Sequence, residues 1–324
     1  MSGARYQLLS LTAAALGVAL GLGLGAGPIA QDTEADHRRT TDQLTGHVER
    51  LTKHVGRLES ARAADARVVA ALAAPLTADR LSERSVVVVA TPGADQKLVR
   101  RVGTVLEASG ATVTGVLRLT KVYVDPAQAQ SPLEDLSLRL VPPGVQFADG
   151  ATAIERVGTV LARSTLRKPA DPPSTAAAST DDAAAADAID DDAAGVIAGL
   201  DELGAVKLDG KPGDLADLAV VVSGPSDRAD AEPALAGLVK ALDAGGLGAV
   251  LAGPGAARAG ALRWVRDDTA GDPEGGISTV DSLDAPVGQA ALVLALAEQA
   301  AGKAGHYGLG RGARDVLPAV APKG

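Results

Sequence analysis

Three kinds of apolar spacing follow one another along this chain, and each predicts a different element. From Leu8 to Ile29 the sequence carries no charge, and Ser10 and Thr12 are its only hydroxyls. Rising about 1.5 Å per residue, a helix of this run is long enough to cross ~30 Å of hydrocarbon. A cleaved secretory signal is the competing reading. Its apolar core would span roughly 7–15 residues and end at small residues, for which Pro28-Ile29-Ala30 is a poor match. Residues 1–30 are therefore expected to be an uncleaved transmembrane anchor. Arg5 precedes the span, whereas Asp32, Glu34 and Asp36 follow it. That asymmetry keeps the N-terminus inside and exports the C-terminal body, although Arg38 and Arg39 reduce the contrast. The expected location is thus a single-pass membrane protein with its bulk extracytoplasmic.

The next apolar positions repeat at seven. Leu44, Leu51 and Leu58 form one series, and Val48 and Val55 fall four residues after the first two leucines. With Leu at d and Val at a, the seam predicts a parallel coiled-coil homodimer over residues 31–75. Its interface would be Leu44, Val48, Leu51, Val55 and Leu58. Arg62 and Asp65 end the seam. Two clean heptads are a short seam, and a single amphipathic helix lying on its own domain is the alternative.

From residue 85 onward strand and helix patterns alternate. Ser85-Val86-Val87-Val88-Val89-Ala90 reads as a strand buried on both faces. Thr91-Pro92-Gly93-Ala94-Asp95 breaks it, a helix is expected over Gln96–Ser109, and Ala111–Leu119 alternates as a second strand. Further helices are expected near Leu133–Leu140, Thr152–Ser164, Ala193–Leu203, Glu232–Leu242 and Val287–Ala301. Strands are expected at Leu218–Val222, Gly248–Ala252 and Ile277–Val280. Residues 85–324 are accordingly read as an α/β domain with a mainly parallel sheet and helices on both faces. Residues 168–192, rich in Pro, Ala and Asp, are too polar to offset the entropy of ordering and read as a disordered insertion. An acidic tether for a partner is the alternative there.

Composition narrows the chemistry. Aromatic residues are only 2% of the chain and the net charge is −9, which argues against base stacking and against phosphate backbones, so no nucleic acid is expected as a partner. The chain has no Cys, and Met1 is its only Met. Disulfides, zinc–thiolate sites and sulfur ligands for Cu(I) are thereby excluded from the body.

Enzyme motifs fail on inspection, and no catalytic residue is assigned. Gly253-Pro254-Gly255-Ala256-Ala257-Arg258-Ala259-Gly260 follows a strand, but its third glycine is too late for a dinucleotide loop and Pro254 lacks a donor. Gly210-Lys211-Pro212 and Gly302-Lys303-Ala304 lack the hydroxyl of a phosphate loop, and no Gly-x-Ser-x-Gly elbow exists. No cofactor is expected. Of the four histidines, His37, His47 and His54 lie on the stalk side and His306 in the body. His47 and His54, seven apart on one face, are candidate Cu(II) ligands across a dimer, with solvated g positions as the plainer reading. His306 is a third candidate, with a structural role as its alternative.

Three stretches carry a family resemblance: the span followed directly by the heptads, Val86–Val89 leading into Thr91-Pro92-Gly93-Ala94-Asp95, and Ile277-Ser278-Thr279-Val280-Asp281-Ser282-Leu283-Asp284. Gly288-Gln289 and Gly305-His306-Tyr307-Gly308-Leu309-Gly310 extend the last of these. In their order the chain resembles the actinobacterial copper transporters of the MctB type. The resemblance implies a copper transporter or copper-homeostasis protein of the cell envelope, with copper known only from the family. It also implies a second role, because a corynebacterial relative is a membrane-anchored partner in cell separation that regulates peptidoglycan hydrolases. Two expectations follow: a copper-homeostasis protein, and a non-enzymatic envelope scaffold that binds envelope or cell-division proteins.

Overall fold

The computed structural model describes residues 31–124, 133, 147, 150–167, 191–209, 214–224, 232–255, 260–268 and 276–319. The apolar run Leu8–Ile29, most of the helix expected near Leu133–Leu140 and all but the end of the 168–192 segment lie outside them. Among the described residues no helix is long and apolar enough to cross a membrane. The chain divides into two compact units, Met1–Asp65 and Ala66–Gly324.

Helix α1 spans Gln31–Thr77 and supplies the described part of the first unit. Leu44, Leu51 and Leu58 are 60%, 62% and 57% exposed, and Val48 and Val55 are exposed beside them. Pro75 removes one helical hydrogen bond in the last turn.

The second unit is a mixed α/β body built on one sheet. Its elements are β1 (Ser85–Ala90), α2 (Gln96–Ala108), β2 (Thr112–Leu119), α3 (Lys121–Val124), α4 (Ala153–Thr165), α5 (Asp191–Glu202), β3 (Val206–Asp209), β4 (Leu218–Val222), α6 (Glu232–Gly245), β5 (Gly248–Ala252), α7 (Ala261–Asp268), β6 (Ser278–Val280), α8 (Pro286–Ala300) and β7 (His306–Tyr307). Seven described strands lie in the order β3-β2-β1-β4-β5-β6-β7. All neighbours pair in parallel except β2 and β3. Strands on either side of residues 168–192 therefore share one sheet.

The apolar runs explain the layering. Alternate residues of β1, β4 and β5 feed two separate cores. Val87, Val89, Val221 and Leu251 meet apolar residues of α4, α5, α6 and α7, whereas Val86, Val88, Val220 and Val250 meet those of α2 and α8. Local signals set the helix starts. Asp95 accepts from the Lys97 N–H at 2.7 Å to cap α2, and Thr152 and Glu155 form a reciprocal capping box on α4. At the other end of the strands, Asp217 accepts from the Ser85 N–H at 2.9 Å and fixes β1 against β4.

Four elements were not anticipated from the pattern, the four-residue helix α3 among them. Strand β3 is a short antiparallel edge with charged residues, held to β2 by Arg118 Nε donating to Asp209 at 2.6 Å. Helix α7 is only eight residues long, and β7 only two.

Leu251 is fully buried in β5, whereas Leu309 is 59% exposed. Leu251→Ala is expected to lower unfolding free energy by about 2–5 kcal/mol, and Leu309→Ala by under about 0.5 kcal/mol. Urea denaturation followed by the fluorescence of the single Trp, Trp264 in α7, measures both.

Candidate functional site

Ligands of open parallel sheets sit beyond the carboxyl ends of the strands, at the point where strand order reverses. Here that point lies between β1 and β4. The loops after these two strands close on each other. The Thr91 N–H donates to the Val222 carbonyl at 3.0 Å, and the Gly224 N–H donates to Thr91 Oγ1 at 3.1 Å. The approach is so close that a Cβ on Gly224 would stand 1.9 Å from the Gly93 oxygen. Only glycine fits at this position.

The polar chemistry gathers further along, at the ends of β6 and β7. Asp281 directly follows β6 and is 1% exposed. Its carboxylate accepts from Ser282 Oγ at 2.7 Å, from the Leu309 N–H at 2.8 Å, from the Gly310 N–H at 3.0 Å and from Arg266 Nη1 at 3.1 Å. Burial alone would raise the Asp281 pKa, but the Ser282, Leu309 and Arg266 donors outweigh it and hold the group below its ordinary value. Arg266, from α7, is also buried. Its Nε donates to Thr279 Oγ1 at 2.7 Å and its Nη2 to the Tyr307 carbonyl at 2.9 Å, while Nη1 also reaches the Arg311 carbonyl at 3.2 Å. Ser282 adopts φ 60°, a left-handed turn that folds its hydroxyl back onto Asp281. Gly308 and Gly310 leave the space that the carboxylate fills, since a Cβ on either would stand 2.2 Å or 2.6 Å from its oxygens.

His306 belongs to the same network. Thr279 Oγ1 accepts from Arg266 Nε and shares a hydrogen bond with His306 Nδ1 at 3.1 Å, which ties the ring to the Arg266–Asp281 pair. Burial first, then the charges of Arg266 and Arg314, push the ring pKa down to about 4. It is a neutral imidazole under ordinary conditions. Next to it the Tyr307 hydroxyl donates to Glu298, and burial together with that carboxylate raises the Tyr307 pKa.

Apart from Arg266, the side chains that meet in this network, Thr279, Asp281, Ser282 and His306, lie in the C-terminal stretches singled out in the sequence. A family model described as "Copper transport outer membrane protein, MctB" matches residues 1–318. The chain belongs to the MctB family. It is 29% identical over 98% of its length to proteins named Copper transporter MctB from Mycobacterium tuberculosis and Mycobacterium bovis, covering 99% of each. A protein of the same name from Mycobacterium leprae is 28% identical over 74% of both chains.

Family membership does not by itself supply a metal site. Among the described residues no group of three or more His, Cys, Asp or Glu side chains is placed to hold a metal ion. His47 and His54 line one open face of α1 with Arg50, Lys53 and Arg57. His47 Nδ1 donates to the Gln43 carbonyl at 3.0 Å, an acceptor only, which leaves Nε2 as the lone-pair nitrogen of that ring. His37 lies in α1 with its side chain outside the described set. The structure thus brings His306 together with Thr279, Arg266 and Asp281. Sequence reasoning missed Arg266 and the role of Asp281. The available signal was a polar strand, Ser278-Thr279, in a sheet whose other central strands are aliphatic. Buried polar groups must find partners.

Asp281→Asn removes the charge that matches buried Arg266. It is expected to destabilise the body by about 3 kcal/mol, read as a lowered urea midpoint. The His306 effect on stability has a definite sign. The unfolded ring takes up a proton near pH 6.5 and the folded ring only near 4, so stabilisation present above pH 6.5 is lost as pH falls towards 4. His306→Asn, whose amide can still hydrogen-bond Thr279 but does not titrate, is expected to flatten the pH dependence of the urea midpoint across that interval.

Proposed function

We propose that this protein is a copper-homeostasis component of the cell envelope, membrane-anchored and non-enzymatic, that acts through protein contacts. The observation that carries the reading is the MctB match over residues 1–318, together with relatives named copper transporters over nearly the full chain. The uncharged run Leu8–Ile29 supports an N-terminal anchor with the body outside the cytoplasm. The exposed Leu44, Val48, Leu51, Val55 and Leu58 support a homodimer through the stalk.

Direct copper handling would fall to imidazoles, because the body offers no sulfur. His47 and His54 of two stalks are the available pair. His306 is a poor ligand, with Nδ1 engaged by Thr279 and the ring buried. A second reading is favoured by the same exposed stalk: a scaffold that controls cell separation by binding peptidoglycan hydrolases or cell-division proteins.

Deletion of the gene in its own host tests both. The copper reading expects more cell-bound copper by mass spectrometry and lower copper tolerance, each restored by the full chain. Unchanged copper content would reject it. Unseparated cells with normal copper would select the scaffold.

A further inference from the structure

The seam of α1 does not stop where its clean heptads stop. Counting on by seven from Leu58, Asp65 takes the next d position and Leu72 the one after; from Val55, Arg62 takes a and Val69 the following a. The apolar series therefore resumes in phase beyond the two charges, within the single helix Gln31–Thr77. Leu72 is 64% exposed, so the α/β body does not cover it, and Val69 is half-buried. Arg62 and Asp65 are both exposed. Among the described residues neither makes an ion pair. Leu76 also falls in frame, but in the turn weakened by Pro75.

We propose that this face is one continuous interface with a second copy of the chain, from Leu44 to Leu72, in which Arg62 and Asp65 form an internal ionic layer that fixes a parallel, in-register pairing. The proposal deepens the stalk dimer of the preceding reading and rests on it. The seam is about 42 Å long at 1.5 Å per residue. In register, each Arg62 lies one layer from Asp65 of the partner subunit, so two complementary pairs cross the axis. A slip of one heptad would set Arg62 against Val55 or Val69 of the partner subunit and leave the charges without partners in an apolar seam. A polar position inside an otherwise apolar heptad series selects register in this way, at some cost in affinity. The flanking Ala61, Ala63, Ala64 and Ala66 are small and leave room for the long Arg62 side chain to reach across.

The absence of native cysteine makes the test clean. The full chain, in its own membrane, would carry one cysteine at a time, Leu51→Cys or Leu72→Cys, and be treated with a short bis-maleimide. Both positions are expected to link two identical copies, and a mixture of the two variants is expected to give no Leu51–Leu72 hybrid. Asp65→Arg, which places four positive charges in the layer, should weaken the dimer about tenfold or more. The exchange Arg62→Asp with Asp65→Arg should restore it. Failure to link at both positions overturns the stalk dimer itself. Linking at Leu51→Cys but not at Leu72→Cys leaves the dimer and overturns the continuous seam. An Asp65→Arg chain that dimerises as well as the parent, or an exchange that does not rescue, overturns the ionic layer.

Discussion

From Val86 onward β1, and all of β4 and β5, have helices on both faces, and every side chain along them is buried. A strand in that position has no side that can carry a polar group without desolvating it. The rest of the body follows from this constraint. Val, Leu and Ala fill the strands, aromatic residues are almost absent, and the polar groups are displaced to the strand ends and to the sheet's outer strands. There they are held mainly by one another.

The Arg266–Asp281 pair is how the outer strands are closed. Strands β6 and β7 are too short to be fixed by sheet hydrogen bonds alone. The guanidinium of α7 spans Thr279, Asp281, the Tyr307 carbonyl and the loop at Arg311, and the carboxylate gathers the glycine turn after β7. A buried pair of this kind adds little net stability over apolar packing but costs heavily when one partner is lost. Its effect is to define one arrangement of the C-terminal segment. The same logic closes the reversal point of the sheet, where Thr91 and Gly224 stitch two loops together.

This arrangement bears on what the family name means for the chain. The described polar groups of the body are largely engaged by their own neighbours, and its sulfur content is nil. Helix α1, by contrast, exposes its apolar heptad positions together with His47 and His54. The role through protein contacts proposed above fits this donor set.

The sequence by itself determined the long-range outline. Val86–Val89, Leu218–Val222 and Gly248–Ala252 were legible because a doubly buried strand must be apolar throughout, and the α2 and α4 starts because caps are local. Helix α1 was legible for a similar reason, since its seven-residue periodicity is local to one segment. The tertiary structure alone decided the rest. Strand β3 pairs by an edge contact between Arg118 and Asp209, 91 residues apart, and β7 is too short for any period. Arg266 reaches Asp281 across 15 residues, and the Gly310 N–H meets that carboxylate across 29. No spacing rule links such positions, because their proximity is created only when the helices pack and the sheet brings its strand ends together.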